Sequence, residues 1–151
     1  MDADYSELNT YKKCIENEPL LNPSIRNVNG VWCTLMGKKR ALLIASYEFD
    51  YKGIDPLFAP RKDAEEMKSV LEDPAIGEFE VQMLPFDMDS SQVRKAINLF
   101  FVNSEPDDLL LLYYSGHGIK KDNKLYLLTK DTQPNTLKSS AVSISFSILS
   151  A

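Results

Sequence analysis

The fold class this sequence predicts is α/β: an open, mostly parallel sheet with helices on both faces. Three observations support it. Ala41-Leu-Leu-Ile-Ala45 and Leu109-Leu-Leu-Leu-Tyr-Tyr114 are short, apolar runs, the pattern of strands covered on both faces. Between them helical and strand periodicities alternate, which calls for parallel strands joined by right-handed crossovers. The second run halts at Ser115-Gly-His-Gly118, so the chain's single histidine, His117, falls at a strand's carboxyl end. Open α/β sheets bind ligands at that edge. The flanking glycines are expected to take positive φ there.

In chain order, residues 1–37 mix Asn, Pro, Glu and isolated apolar residues without period, and read as an N-terminal extension with one short helix around Tyr5 to Ile15. Gly30 and Gly37-Lys38 do not make a phosphate loop. Their spacing is too long, and Lys39 stands where a magnesium-binding Ser or Thr is needed. From Lys38 onward the character changes, and residues 38–151 read as one partial domain.

Lys38-Lys-Arg leads into the first strand, Ala41 to Ala45, and a polar and aromatic loop follows from Ser46 to Ala59. Pro60 suits a first helical position. With Ala64, Met67, Val70 and Leu71 at three- and four-residue spacing, it predicts a helix from Pro60 to about Glu72, ended near Pro74. Phe79, Val81 and Met83 alternate with polar residues as a half-buried strand does. Asp89 and Gln92 form a capping-box pattern. Behind them Val93, Ala96, Ile97, Phe100 and Phe101 line one face of a helix from Ser90 to about Asn103. The third strand runs from Asp107 to Tyr114, a polar turn from Lys120 to Asn123, and a short fourth strand from Leu125 to Leu128. In the tail, Leu137 to Ala151, the alternating serines fit a strand while Val142, Phe146 and Leu149 fit a helix face, and both readings stay open.

Composition excludes several functions. A net charge of −5 without a Lys/Arg cluster disfavours a nucleic-acid surface, which must displace phosphate counterions. No apolar stretch reaches membrane-spanning length, and the acidic start lacks the pattern of an export signal, so a cytoplasmic protein is expected. Cys14 and Cys33 are accordingly read as free thiols. One His and two Cys are too few for a structural zinc site, and no metal is expected.

Tyr113-Tyr-Ser-Gly-His-Gly118 resembles the histidine motif of the caspase and metacaspase clan of cysteine peptidases. The first strand, the helix bearing Asp63-Ala64 with Met67 and Leu71, and Leu125-Tyr-Leu-Leu-Thr-Lys-Asp131 are similar in order and spacing, so the resemblance covers about Lys38 to Phe146. It implies a caspase-like, flavodoxin-like sheet, incomplete at its C-terminus, and a cysteine-type endopeptidase of the prokaryotic or metacaspase-like branch. His117 would be the acid/base residue of a Cys–His dyad, and the Gly118 N–H would be half of the oxyanion hole. Bond breaking in this clan needs no cofactor, although calcium activates some metacaspases. The substrate would be a polypeptide. Leu57 occupies the place of the arginine with which aspartate-cutting caspases hold their substrate, and Arg61 lies too near Asp63 to serve without a shifted alignment. Metacaspases use acidic residues for Arg or Lys, which makes Asp63 and Asp131 the candidate substrate-binding positions.

The family nucleophile lies roughly fifty residues beyond the histidine. No cysteine follows His117, and Cys14 and Cys33 precede the first strand. The chain thus reads as half of a dyad that stops before the cysteine-bearing strand and is predicted inactive alone, and three readings stay open: the cysteine is lost, is truncated away, or is supplied by a C-terminal partner segment. The alternative is a pseudo-protease that keeps the sheet as a binding or regulatory module. A flavodoxin-type nucleotide-binding domain is disfavoured, because no glycine-rich loop follows the first strand.

Overall fold

The computed structural model describes residues 12–14, 25–28, 31–35 and 37–144. Before the first predicted strand lie three short ones, β1 (Lys12–Cys14), β2 (Ile25–Val28) and β3 (Val31–Leu35), in an antiparallel sheet of order β1-β3-β2. The helix expected around Tyr5 to Ile15 is therefore corrected where it overlaps β1, and the rest of that stretch lies outside the described residues. Pairing with β3 is a non-local interaction that the local sequence pattern does not carry.

The central layer is a parallel sheet of order β5-β4-β6, built from β4 (Lys39–Ala45), β5 (Glu80–Met83) and β6 (Leu109–Ser115). Helix α1 (Pro60–Glu72) connects β4 to β5, and α2 (Ser90–Val102) connects β5 to β6. Alternate side chains of β4 enter two different cores. Ala41 and Leu43 pack with Leu71, Met67, Leu111 and Tyr113, while Leu42 and Ile44 pack with Val93, Phe100, Leu110, Leu112 and Tyr114. This two-sided burial explains why Ala41 to Ala45 is apolar throughout.

Sequence and structure differ at β6. Its leucines predict a strand covered on both sides, yet among the described residues β6 pairs only with β4 and is an edge of the sheet, its residues mostly half-buried. The middle strand is β4, buried from Ala41 to Ala45.

Both helices begin as their sequences indicate. Pro60 is the first residue of α1, and at α2 the Gln92 side chain accepts the Asp89 N–H at 3.1 Å, closing the capping box. Arg40 fixes the far end of α2, donating to Asn103 O (2.7 Å) and Ser104 Oγ (2.9 Å).

The predicted fourth strand joins a separate antiparallel sheet rather than the parallel one. β7 (Gly118–Lys121), β8 (Lys124–Leu128) and β9 (Ala141–Ile144) lie in the order β7-β8-β9. Asp122 and Asn123, both at positive φ, make the two-residue turn between β7 and β8. A short helix, α3 (Leu137–Ser140), precedes β9, which resolves the tail as strand at Ala141–Ile144; residues 145–151 lie outside the described residues. Leu127 and Val142 complete the core beneath α2. Among the described residues no helix is long and apolar enough to cross a membrane.

Candidate active site

The carboxyl ends of β4 and β6 lie side by side, joined beyond their ladder by a hydrogen bond from Ser46 N to Ser115 O of 3.0 Å. From there Gly116 carries the chain to His117. Neither Gly116 nor Gly118 has positive φ, contrary to expectation, and Gly116 is required for a different reason. A Cβ at Gly116 would stand 2.3 Å from the Tyr114 hydroxyl oxygen and 2.9 Å from Ser46 O, whereas one at Gly118 would make only ordinary contacts. The chain is crowded before the histidine and open after it.

Two sets of contacts hold His117. Its carbonyl accepts the Leu128 N–H at 3.0 Å. The Tyr114 hydroxyl lies 3.0 Å from His117 O and 2.5 Å from Leu128 O, giving its one proton to one carbonyl at a time. Burial pushes the Tyr114 phenol well above its ordinary pKa, so it remains a donor. The imidazole itself is half-buried, with its ring 5.4 Å from that of Phe49. Its Nε2 is 2.9 Å from Asp55 O. A carbonyl oxygen only accepts, so Nε2 carries the hydrogen and the neutral ring keeps its lone pair on Nδ1. That leaves Nδ1 as the basic atom.

Phe49 and Asp55 belong to the loop after β4, which is itself anchored. Asp87 Oδ1 accepts the N–H groups of Tyr47 (2.8 Å) and Glu48 (3.0 Å), and Asp50 N donates to Lys130 O (2.9 Å). On the other side of His117, the His117–Leu128 bond sets the β7–β8 alternation. Gly118 and Leu127 then form a pair that exchanges no ladder bonds, which leaves the Gly118 N–H off the ladder.

The two candidate acids are placed differently. Asp63, in the first turn of α1, accepts the Ser115 hydroxyl on Oδ2 at 3.1 Å, which brings a carboxylate to the strand end that leads to His117. Asp131 has both oxygens engaged: Oδ1 accepts Ser90 N (2.7 Å) and Thr129 Oγ1 (2.8 Å), and Oδ2 accepts Ser90 Oγ (2.8 Å). Burial raises the Asp131 pKa, but the hydrogen bonds from Ser90 and Thr129 outweigh it and hold the carboxyl below the usual range. No hydrogen bond among the described residues joins Asp131 to Asp63, Ser115 or His117. Arg61 is occupied as well, with Nε 3.1 Å from Glu65 Oε1 and its guanidinium 5.3 Å from the centre of the Phe86 ring.

Sequence reasoning missed Ser115, Phe49, Asp87 and the Asp55 carbonyl. Ser115 was within reach, since it stands two residues before the histidine in the motif. The Asp55 contact is made by backbone, which leaves no mark on residue type. Among the described residues no group of three or more His, Cys, Asp or Glu side chains could hold a metal ion.

The model for the family described as Caspase domain, of the peptidases, matches residues 38–145. No curated protein sequence matches the chain.

Proposed function

Because the chain belongs to the caspase-domain family of peptidases, we propose that it supplies the acid/base half of a metacaspase-like cysteine endopeptidase site in the cytoplasm. The observation that carries this reading is the His117 Nε2 contact with Asp55 O, which leaves Nδ1 at the end of β6 without a hydrogen bond among the described residues. Nδ1 would take the proton of an attacking thiol and return it to the leaving amine. The Gly118 N–H, off its ladder, would hold charge developing on the substrate carbonyl oxygen.

Specificity in this reading is for Arg or Lys. Asp63, oriented by Ser115, forms the acidic wall that a cationic side chain would meet. Asp131, held by Ser90 and Thr129, adds negative charge at longer range. Arg61 already pairs with Glu65, which disfavours acidic substrates. The sulfur would come from a strand that pairs along the edge of β6 that carries no strand among the described residues, from a C-terminal segment or another chain.

The test is complementation. The chain would be titrated with a synthetic peptide bearing an Asp-Cys-His-Ser-Gly strand and assayed on fluorogenic peptides ending in Arg, Lys or Asp. Turnover of Arg and Lys reporters that needs both components and is lost in His117→Ala supports the proposal. Turnover by the chain alone, lost in His117→Ala, would refute the half-site reading.

The second reading is a catalytically silent binding module, in which the Asp63 carboxylate, held at the strand end by the Ser115 hydroxyl, serves to grip a cationic peptide. Saturable binding of Arg-containing peptides, weakened by Asp63→Asn, without turnover under any complementation would select it.

A further inference from the structure

The register of the N-terminal sheet puts the chain's two cysteines opposite one another. β1 and β3 pair antiparallel with Lys12↔Leu35, Lys13↔Thr34 and Cys14↔Cys33. The type of this pair follows from the other side of β3. Only Asn29 and Gly30 separate β2 from β3, so Val28↔Val31 closes a two-residue connection and is a hydrogen-bonded pair. Alternation makes Arg26↔Cys33 hydrogen-bonded too, which directs the backbone groups of Cys33 toward β2. Cys14↔Cys33, across the opposite edge, is therefore a non-hydrogen-bonded pair. Such pairs have Cα atoms about 4.5 Å apart, the closer of the two antiparallel spacings. That falls within the span of roughly 4.4–6.8 Å that a disulfide bridges.

We propose that Cys14 and Cys33 are a reversible dithiol/disulfide site that, when oxidised, staples β1 to β3. A low-molecular-weight disulfide such as oxidised glutathione is the oxidant. One cysteine thiolate attacks a glutathione sulfur and releases one glutathione thiol, leaving a mixed disulfide. The second thiolate attacks the protein sulfur of that bond and releases the second glutathione. The pair loses two protons and two electrons, and the oxidant gains them. The staple would tie together strands that the chain joins only through residues 15–30.

The experiment equilibrates the full chain with graded ratios of oxidised to reduced glutathione, in native buffer and in concentrated guanidinium. Samples are quenched by alkylation and digested with trypsin without reduction. Cleavage after Lys13, Arg26 and Lys38 puts the cysteines in separate peptides, Cys14–Arg26 and Asn27–Lys38, so the bridge is read as their linked mass. An effective concentration at least about tenfold higher in the native chain than in denaturant is the expected result. Equal values would overturn the proposal, because the fold would then contribute nothing. Accumulation of mixed disulfides at both cysteines, or of dimers linked between chains, would also overturn it. Cys14→Ser is expected to hold a mixed disulfide at Cys33. Tryptic cleavage after Arg26 should be slower in the oxidised parent than in this variant treated alike.

Discussion

The imidazole of His117 is tied to the main chain of Asp55, with Nε2 and the carbonyl oxygen 2.9 Å apart across two loops that leave different strands. The contact fixes both the angle of the ring and the position of its hydrogen. An acid/base residue that must face a sulfur through one nitrogen needs both.

Since His117 is the only histidine, nitrogen NMR of the labelled chain reports on a single ring. For the neutral ring the spectrum is expected to show the Nε2–H tautomer. A predominant Nδ1–H form would contradict the Asp55 contact. Phe49→Ala, which removes the neighbouring ring, should broaden or mix the two forms.

The two glycines around His117 should respond differently to alanine. Gly116→Ala forces a methyl group into the space of the Tyr114 hydroxyl and Ser46 O. The expected cost is about 1–3 kcal/mol of unfolding free energy, the range for overpacking. Gly118→Ala, which meets only ordinary contacts, should stay within about 0.5 kcal/mol. Urea titration of both variants would check the contrast.

Asp131 should matter most near neutral pH. Its folded pKa is depressed, so the stability it contributes is present above the unfolded carboxylate pKa and is lost as pH falls through the folded value. Asp131→Asn is expected to cost about 1–2 kcal/mol at pH 7, toward the low end for bonds to a charged group at a partly exposed site. The gap from the parent should narrow in strong acid. A constant gap from pH 7 to pH 2 would show that charge has no part in holding Ser90 and Thr129.

Tyr114 carries the opposite dependence. Burial raises its pKa in the folded state, so its contribution is fully present below the ordinary tyrosine titration and is lost as pH rises from there through the raised folded value. Ultraviolet titration should show a phenol that ionises only as the chain unfolds. Tyr114→Phe should cost about 1–2 kcal/mol, since Leu128 O loses its hydroxyl donor.

Elements with strong local signals were legible in the sequence. Pro60 and the Asp89–Gln92 pair mark where α1 and α2 begin because proline φ and capping bonds are properties of a few adjacent residues. Apolar runs show that a strand is covered without showing by what, so Leu109 to Tyr114 looked internal although β4 is the middle strand. Pairing partners were the least visible. β8 has the same local pattern whether it joins the parallel sheet or lies between β7 and β9. Asn29-Gly30 between Val28 and Val31 was a readable hairpin signal for β2 and β3. At the site, His117 stood out by its position, and Gly116 stood out too but for crowding rather than φ.

The main chain of His117 is moored to β8 through Leu128, while its ring is moored to the loop after β4. A shift of the outer hairpin against the parallel sheet would thus be transmitted to the imidazole as a change of tilt, with no need to touch it. Substitutions at the remote Asp122-Asn123 bend, where the hairpin reverses, therefore offer a mechanical handle on how the ring is aimed at the far end of the same ladder.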